Sequence, residues 1–223
     1  MNEIKIKPIA EVLSPYQTKF GTPRQSGLVK SDNSKLAFNS DIPMDAFEKL
    51  IEGNFIWVVF IFDQCEGNAK YQVRPPRLGG NQKIGVYATR SPFRPNNIGL
   101  SLCKIKKIVK QQNGVELTVE GLDLANKTPV IDIKPYHPTY DKAWSDSEYW
   151  FGEAQVNSYE VIYPENTKLN KADQQFITEV LSGDPRPAYH DDENRVYKIQ
   201  LKHYDISFQV KNEKVIINEI GLL

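Results

Sequence analysis

The densest run of residues able to do chemistry is RPPRLGGNQKIGVYATRSPFRPNNIGLS, residues 74–101. Prolines fix φ beside Arg74, Arg77 and Arg94, so these guanidinium groups start from a restricted loop and lose less entropy on ordering. Gly79 and Gly80 let backbone N–H groups come close to a ligand. Asn96 and Asn97 offer paired donors and acceptors suited to a nucleobase edge or a carboxylate. A second run is LDLANKTPVIDIKPY, residues 122–136. If it is extended, its period of two puts Asp132 and Lys134 on one face, Ile131 and Ile133 on the other, and Tyr136 with the first pair unless Pro135 bends the chain. That spacing suits a routine same-face ion pair as well as a catalytic carboxylate held by a cation. Two shorter loops add Arg24 and Gln25, within FGTPRQSGL, and Arg186 with Tyr189, within DPRPAY. Arg186 and Tyr189 are a phosphate-contacting and base-stacking pair in principle.

The charge pattern supports an anionic ligand. The 28 Lys+Arg and 28 Asp+Glu of the 223 residues cancel. Between Glu66 and Glu116, however, no acidic residue occurs in 49 positions. That stretch carries Lys70, Arg74, Arg77, Lys83, Arg90, Arg94, Lys104, Lys106, Lys107 and Lys110. A second acid-free window, Val12 to Ser31, adds Lys19, Arg24 and Lys30, and the compensating acids concentrate in 141–165. The arginines of a merely structural loop would need acidic partners that are not nearby, which favours a local anion-binding surface.

The elements that must position these residues are mostly strands. Strand patterns cover 4–13, the apolar run Phe55–Phe62 (expected to be buried on both faces), Ile84–Ala88, Leu100–Val109, Val115–Leu122, Thr128–Tyr136 and Gln155–Ile162. Asn113-Gly114 marks a hairpin between the fourth and fifth of these. Asp41 is expected to cap a short helix to about Gly53. Beyond Pro164, Asn170 or Asp173 starts an amphipathic helix to about Leu181, and a meander of 195–201, 205–210 and 215–220 follows. The expected organisation is a mainly β domain, 1–163, with a small α+β domain, 164–223.

Several chemistries are excluded. No Gly-x-Gly occurs among the 13 glycines, which removes the dinucleotide fingerprint, and there is no Walker A or Gly-x-Ser-x-Gly sequence. His137, His190 and His203 lack metal-ligand spacing, and two isolated cysteines do not make a metal site, so no metal is expected. No apolar run reaches the roughly 18–20 residues of a membrane span. The N-terminus lacks a signal-peptide core, and two cysteines suit a reducing compartment, so the expected location is cytoplasmic.

The strings PRQSG, VRPPRLGG, GVYATRSPFRPNNIGLS, LDLANKTPVIDIKPY and DPRPAY, in that order, closely resemble the TsaA/TrmO family of tRNA methyltransferases. The resemblance runs from about Pro8 to Tyr189 and less distinctly to the end. It implies a homodimer with a single-sheeted β-barrel and a small C-terminal domain. The implied activity is S-adenosylmethionine-dependent methylation of N6 of threonylcarbamoyladenosine at position 37 of tRNA. It implies cofactor contacts at Arg24, Gln25, Asp63, Gln64, Arg90, Leu100, Asp123, Leu124, Ala125 and Asn126. Arg74, Arg77, Arg94, Asp132, Lys134 and Tyr136 fall on the substrate side, and Arg186 and Tyr189 against tRNA. Asp132 is the expected proton acceptor, held by Lys134, with Tyr136 beside them. The chain departs from better-known members at Asp63-Gln64, where they often have His-Gln, and at Asn126-Lys127-Thr128-Pro129, where they have Asp-Gly-Thr-Pro. The rival expectations are a non-catalytic RNA-binding barrel and a methyltransferase of the same fold with another substrate.

Overall fold

Alternation of apolar and polar residues builds a closed barrel. In the computed structural model, which describes residues 3–65, 69–75, 81–146, 158–186 and 192–223, the strands are β1 (Ala10–Leu13), β2 (Ser34–Phe38), β3 (Phe55–Ile61), β4 (Gln72–Val73), β5 (Ile84–Gly85), β6 (Ile98–Gln111), β7 (Gly114–Glu120), β8 (Pro129–Pro135), β9 (Glu160–Ile162), β10 (Tyr197–Leu201), β11 (Tyr204–Lys211) and β12 (Lys214–Leu222). One helix, α1, spans Lys171–Ser182. Six strands close in the order β1-β2-β7-β6-β3-β8, antiparallel throughout. The side chains that alternate inward, among them Val12, Leu36, Ile56, Val58, Phe60, Ile105, Leu117, Val119 and Val130, form one core.

The seam that closes the barrel is short. Ala10 pairs with Val130 and Glu11 with Pro129, whose missing N–H is harmless at a strand start. Bonds from Ile9 N to Val130 O, Val12 N to Thr128 O and Lys127 N to Val12 O extend it on both sides. At the β6–β7 turn Gly114 has φ +128°, and a Cβ there would lie 2.6 Å from the Phe38 carbonyl oxygen. Only glycine fits where β2 passes so close.

The second unit is a four-stranded sheet, β10-β11-β12-β9, with α1 packed on it. Phe176, Ile177, Val180 and Leu181 of α1 meet Ile199, Leu201, Ile206 and Phe208 in a core that also takes Tyr16 and Val29 from the β1–β2 connection. Asn170 caps the helix, accepting from Asp173 N at 2.8 Å. The Asp173 carboxylate in turn accepts from Lys202 Nζ and from Tyr204 Oη, tying the helix start to the β10–β11 hairpin.

Several elements differ from the sequence expectation. The helix expected over 41–53 is a single 3-10 turn, Met44–Phe47, because Glu48 is extended and Lys49 takes φ 67°. The strand 4–13 shortens to β1, and its partner β2 has no counterpart in the sequence reading. β3 buries only its inner face, leaving Phe55 45% exposed and Trp57, Val59 and Ile61 half-buried. Ile84–Ala88 is two residues of strand followed by a 3-10 turn at Val86–Ala88. The strand expected at the end of the first domain contributes β9 to the second sheet, where it runs parallel to β12.

Where the two units meet, Asp32 is 1% exposed and accepts from Ser34 Oγ and Gly121 N. Burial pushes its carboxyl up from 3.8 to about 6, against the opposing effect of those bonds. A raised acid favours the neutral folded form, so its contribution is complete below about pH 4 and is lost as pH rises through 6. The loss is on the order of 3 kcal/mol. Urea unfolding across pH 4–7 is expected to show this decline in the wild-type protein and a flatter profile in Asp32→Asn.

Candidate active site

The antiparallel order brings three long connections to one end of the barrel. β1 and β2 are joined there by residues 14–33, β3 and β6 by 62–97, and β7 and β8 by 121–128. Between them lies a cleft of about 590 Å³, within the range of small-molecule and cofactor sites. The cleft gathers residues remote in sequence: Arg24 and Gln25, Asp63 and Gln64, Arg90, Leu100, and the turn Asp123–Leu124–Ala125. All were expected at a cofactor. Phe60, Phe62, Cys65, Gly99, Ser101 and Thr128 complete much of the wall, and the sequence reading assigned none of these a cofactor contact. A Cβ on Gly99 would fall 2.2 Å from the Phe60 ring, so this glycine lets two aromatic rings pack behind the wall.

Asp123 is the principal acid of the cleft. Burial pushes its carboxyl above the usual range, while the Ser101 hydroxyl, which donates to Oδ1, and the Arg90 charge act in the opposite direction. Arg90 also donates to Gln25 Oε1. The cleft thus sets the partly desolvated Asp123 beside the Arg90 charge between apolar walls, with Lys19, Arg24, Arg94 and Asp63 also in the lining, which suits a ligand carrying charges of both signs. Lys19 Nζ lies 3.2 Å from Cys65 Sγ and closes one side.

Other expected site residues are placed differently. Asn126 does not line the cleft; its Oδ1 accepts from Ser14 N at 3.1 Å and its N donates to Tyr16 O, so it braces the end of β1. Arg94 lines the cleft, but Nη1 donates to the carbonyls of Val86 and Thr89. Asn97 is buried at φ 49° with Nδ2 donating to Pro92 O, a structural role in place of the recognition role expected for it. Arg74 follows β4 and stands outside the cleft. Arg186 makes a fork with Asp184, Nε to Oδ1 at 2.8 Å and Nη2 to Oδ2 at 3.0 Å. Arg77, Tyr189, Gly79 and Gly80 lie outside the described residues.

Asp132 and Lys134 do share a face and form an ion pair of 2.8 Å. They stand on the outer wall, where Asp132 pairs with Val59 and Val59 with Leu100 of the cleft. Two strand spacings, about 10 Å, separate Asp132 from Leu100. Tyr136 packs edge-on against Phe55 and at a tilt against Trp57, with centroids at 6.5 and 6.2 Å.

The basic block divides in the same way. Lys70, Arg74, Lys83, Arg90 and Arg94 lie on the connection at the cleft end, with no ion pair among the described residues. Lys104, Lys106, Lys107 and Lys110 continue along β6, where Glu120 neutralises Lys106.

The molecule is thus a closed antiparallel β-barrel with a cleft at one rim, walled by basic loops. The chain belongs to the TrmO family: the tRNA-methyltransferase O N-terminal domain matches residues 11–142 and the TrmO C-terminal domain matches 153–222. It is 39% identical, over 94% of each chain, to a tRNA (adenine(37)-N6)-methyltransferase of Escherichia coli K12. It is 37% identical to a probable S-adenosyl-L-methionine-binding protein of Methanothermobacter thermautotrophicus, over 62% of this chain and 94% of that one. A crystal structure of TrmO from Pseudomonas aeruginosa superposes with a TM-score of 0.78 at 26% identity, covering 100% of this chain and 99% of the other.

Arg24 joins the cleft to the second unit, since Nη2 donates to the carbonyls of Asp184 and Arg186. Arg24→Ala is expected to cost about 1–2 kcal/mol in urea unfolding. It is also expected to raise amide exchange in residues 22–27 while leaving β6 and β7 protected.

Proposed function

We propose that the chain transfers a methyl group from S-adenosylmethionine to N6 of adenine 37 in tRNA, and that this adenine carries the threonylcarbamoyl group. The observation that carries this reading is the convergence of three barrel-end connections on one cleft bordered by basic residues, in a chain of the TrmO family.

The residues present fit S-adenosylmethionine. Asp123 and Arg90 would take its charged groups, and Phe62, Leu100 and Leu124 would offer apolar surface to its adenine. The cofactor supplies an already electrophilic methyl group, so the protein's task is alignment, which can lower a barrier by up to ~7–11 kcal/mol. The target nitrogen is acylated, and its proton must leave. Asp132 would accept it, held in place by the Lys134 ammonium, with Tyr136 forming an apolar ledge beside the pair. Arg74 and Arg77 would hold the carboxylate of the modified base, ideally as a bidentate fork, while Arg94 Nη1 is already held by carbonyls. Plain adenosine lacks the carboxylate that these arginines would hold, which gives a basis for selectivity. Arg186 and Tyr189 would meet tRNA backbone and bases.

The outer wall of β3 and β6 exposes Phe55, Ile98 and Leu100, a surface on which a second copy would form the homodimer. A tRNA substrate puts the reaction in the cytoplasm. No helix among the described residues is long and apolar enough to cross a membrane.

Incubation with methyl-labelled S-adenosylmethionine and tRNA from cells with or without the threonylcarbamoyl modification is expected to label only the modified tRNA. Equal labelling of both would remove the threonylcarbamoyl requirement, and no label with RNA still bound would favour a binding module. Asp132→Asn is expected to lower kcat at least 100-fold with cofactor affinity unchanged in calorimetry; full turnover would remove Asp132 as the base.

A further inference from the structure

The connection between β3 and β6 carries two aromatic rings that the fold does not bury. Tyr71, just before β4, is 77% exposed, and Tyr87, in the 3-10 turn after β5, is 70% exposed. Both are held on a small rigid frame. Val86 N donates to Tyr71 O at 3.0 Å, Gln72 pairs with Gly85, and Lys70 N donates to Phe93 O at 3.0 Å. The Arg94 guanidinium, fixed by the Val86 and Thr89 carbonyls, sits 5.6 Å from the Tyr87 ring centre, and Lys70 Nζ sits 4.8 Å from that of Phe93. Arg94 and Pro92 of this frame also line the cleft.

An apolar ring kept in water beside a cation, in a stretch of 49 residues without an acid, matches the surface used to bind single-stranded nucleic acid. There, rings stack on bases while cations follow the phosphates. A docking protein would be expected to meet large aliphatic neighbours instead, and the exposed neighbours along the chain here are Lys70, Gln72, Arg74, Lys83 and Arg90 with only the small Ala69, Gly85 and Ala88 among them. We infer that Tyr71 and Tyr87 form a stacking platform for unpaired nucleotides flanking the adenine that enters the cleft. This rests on the tRNA reading above and adds the part of the substrate that sets its orientation.

The test uses the full chain and a 17-nucleotide anticodon stem-loop RNA with threonylcarbamoyladenosine at position 37, against a fully duplex RNA of the same length. Affinities are read by fluorescence anisotropy over a salt series. The double variant Tyr71→Ala/Tyr87→Ala is expected to bind the stem-loop ten- to hundredfold more weakly, with an unchanged salt slope. Tyr71→Phe/Tyr87→Phe is expected to retain wild-type affinity, and calorimetric binding of S-adenosylmethionine is expected to be the same in all three proteins. Unchanged stem-loop affinity in the alanine variant, with wild-type protein still binding and methylating tRNA, would overturn the platform alone and leave the rings to another kind of partner. An equal loss on duplex RNA would also overturn it. A wild-type protein that bound neither RNA would overturn the tRNA reading together with the platform.

Discussion

The closure of β1 onto β8 is the constraint on which the rest depends. Two paired positions and a few flanking backbone bonds turn a six-strand sheet into a barrel with no free edge. Closure fixes which loops share an end. With β1 between β2 and β8, the connections after β1, β3 and β7 all emerge on one rim, and the cleft exists because they do. A loss of pairing at Ala10–Glu11 would therefore release both a sheet edge and the turn whose residues 123–125 wall the cleft.

The same seam anchors the second unit. Directly after β1, Ser14 N bonds to Asn126 Oδ1 and Asn126 N bonds to Tyr16 O, and Tyr16 then bridges to Leu201 at the end of β10. Tyr16 is fully buried in the second core. Farther along, Glu179 of α1 accepts from the backbone of Lys30 and Ser31 at 2.7 and 2.9 Å, and Arg24 caps two carbonyls of the loop after α1. One connection, residues 14–33, thus closes the barrel, docks the C-terminal unit and contributes to the cleft. The loop carrying Arg186 is held by a residue that lines the cleft.

What was legible in the sequence follows from how local its causes are. Alternation in Val115–Leu122 and the Asn113-Gly114 turn identify a hairpin, and Asn170 three residues before Asp173 identifies a helix start, because these patterns are decided within a few residues. β2 is five residues long with a lysine inside it, too short to stand out without its neighbours. The helix expected at 41–53 fails at Lys49, whose left-handed φ no local pattern signals. The cleft residues were legible only through long family motifs, since Arg24, Asp63, Arg90 and Asp123 meet by topology. The backbone contacts of Arg94 and Asn97 were hidden from the sequence for one physical reason. Without acidic neighbours they looked free of protein partners, yet backbone carbonyls accept from Arg94 Nη1 and Asn97 Nδ2. The net charge of zero concealed the same kind of information, because the basic block separates into a rim at the cleft and a strand partly paired with glutamate.

The most direct test is a crystal structure of the chain with S-adenosylmethionine bound. The expected result is density in the cleft between Arg24–Gln25, Asp63–Gln64, Arg90 and Asp123–Ala125, with the methyl group open to the side where Leu100 and Asp132 share the outer wall. Density at another surface, or a methyl group turned into the barrel interior away from Asp132, would contradict the account.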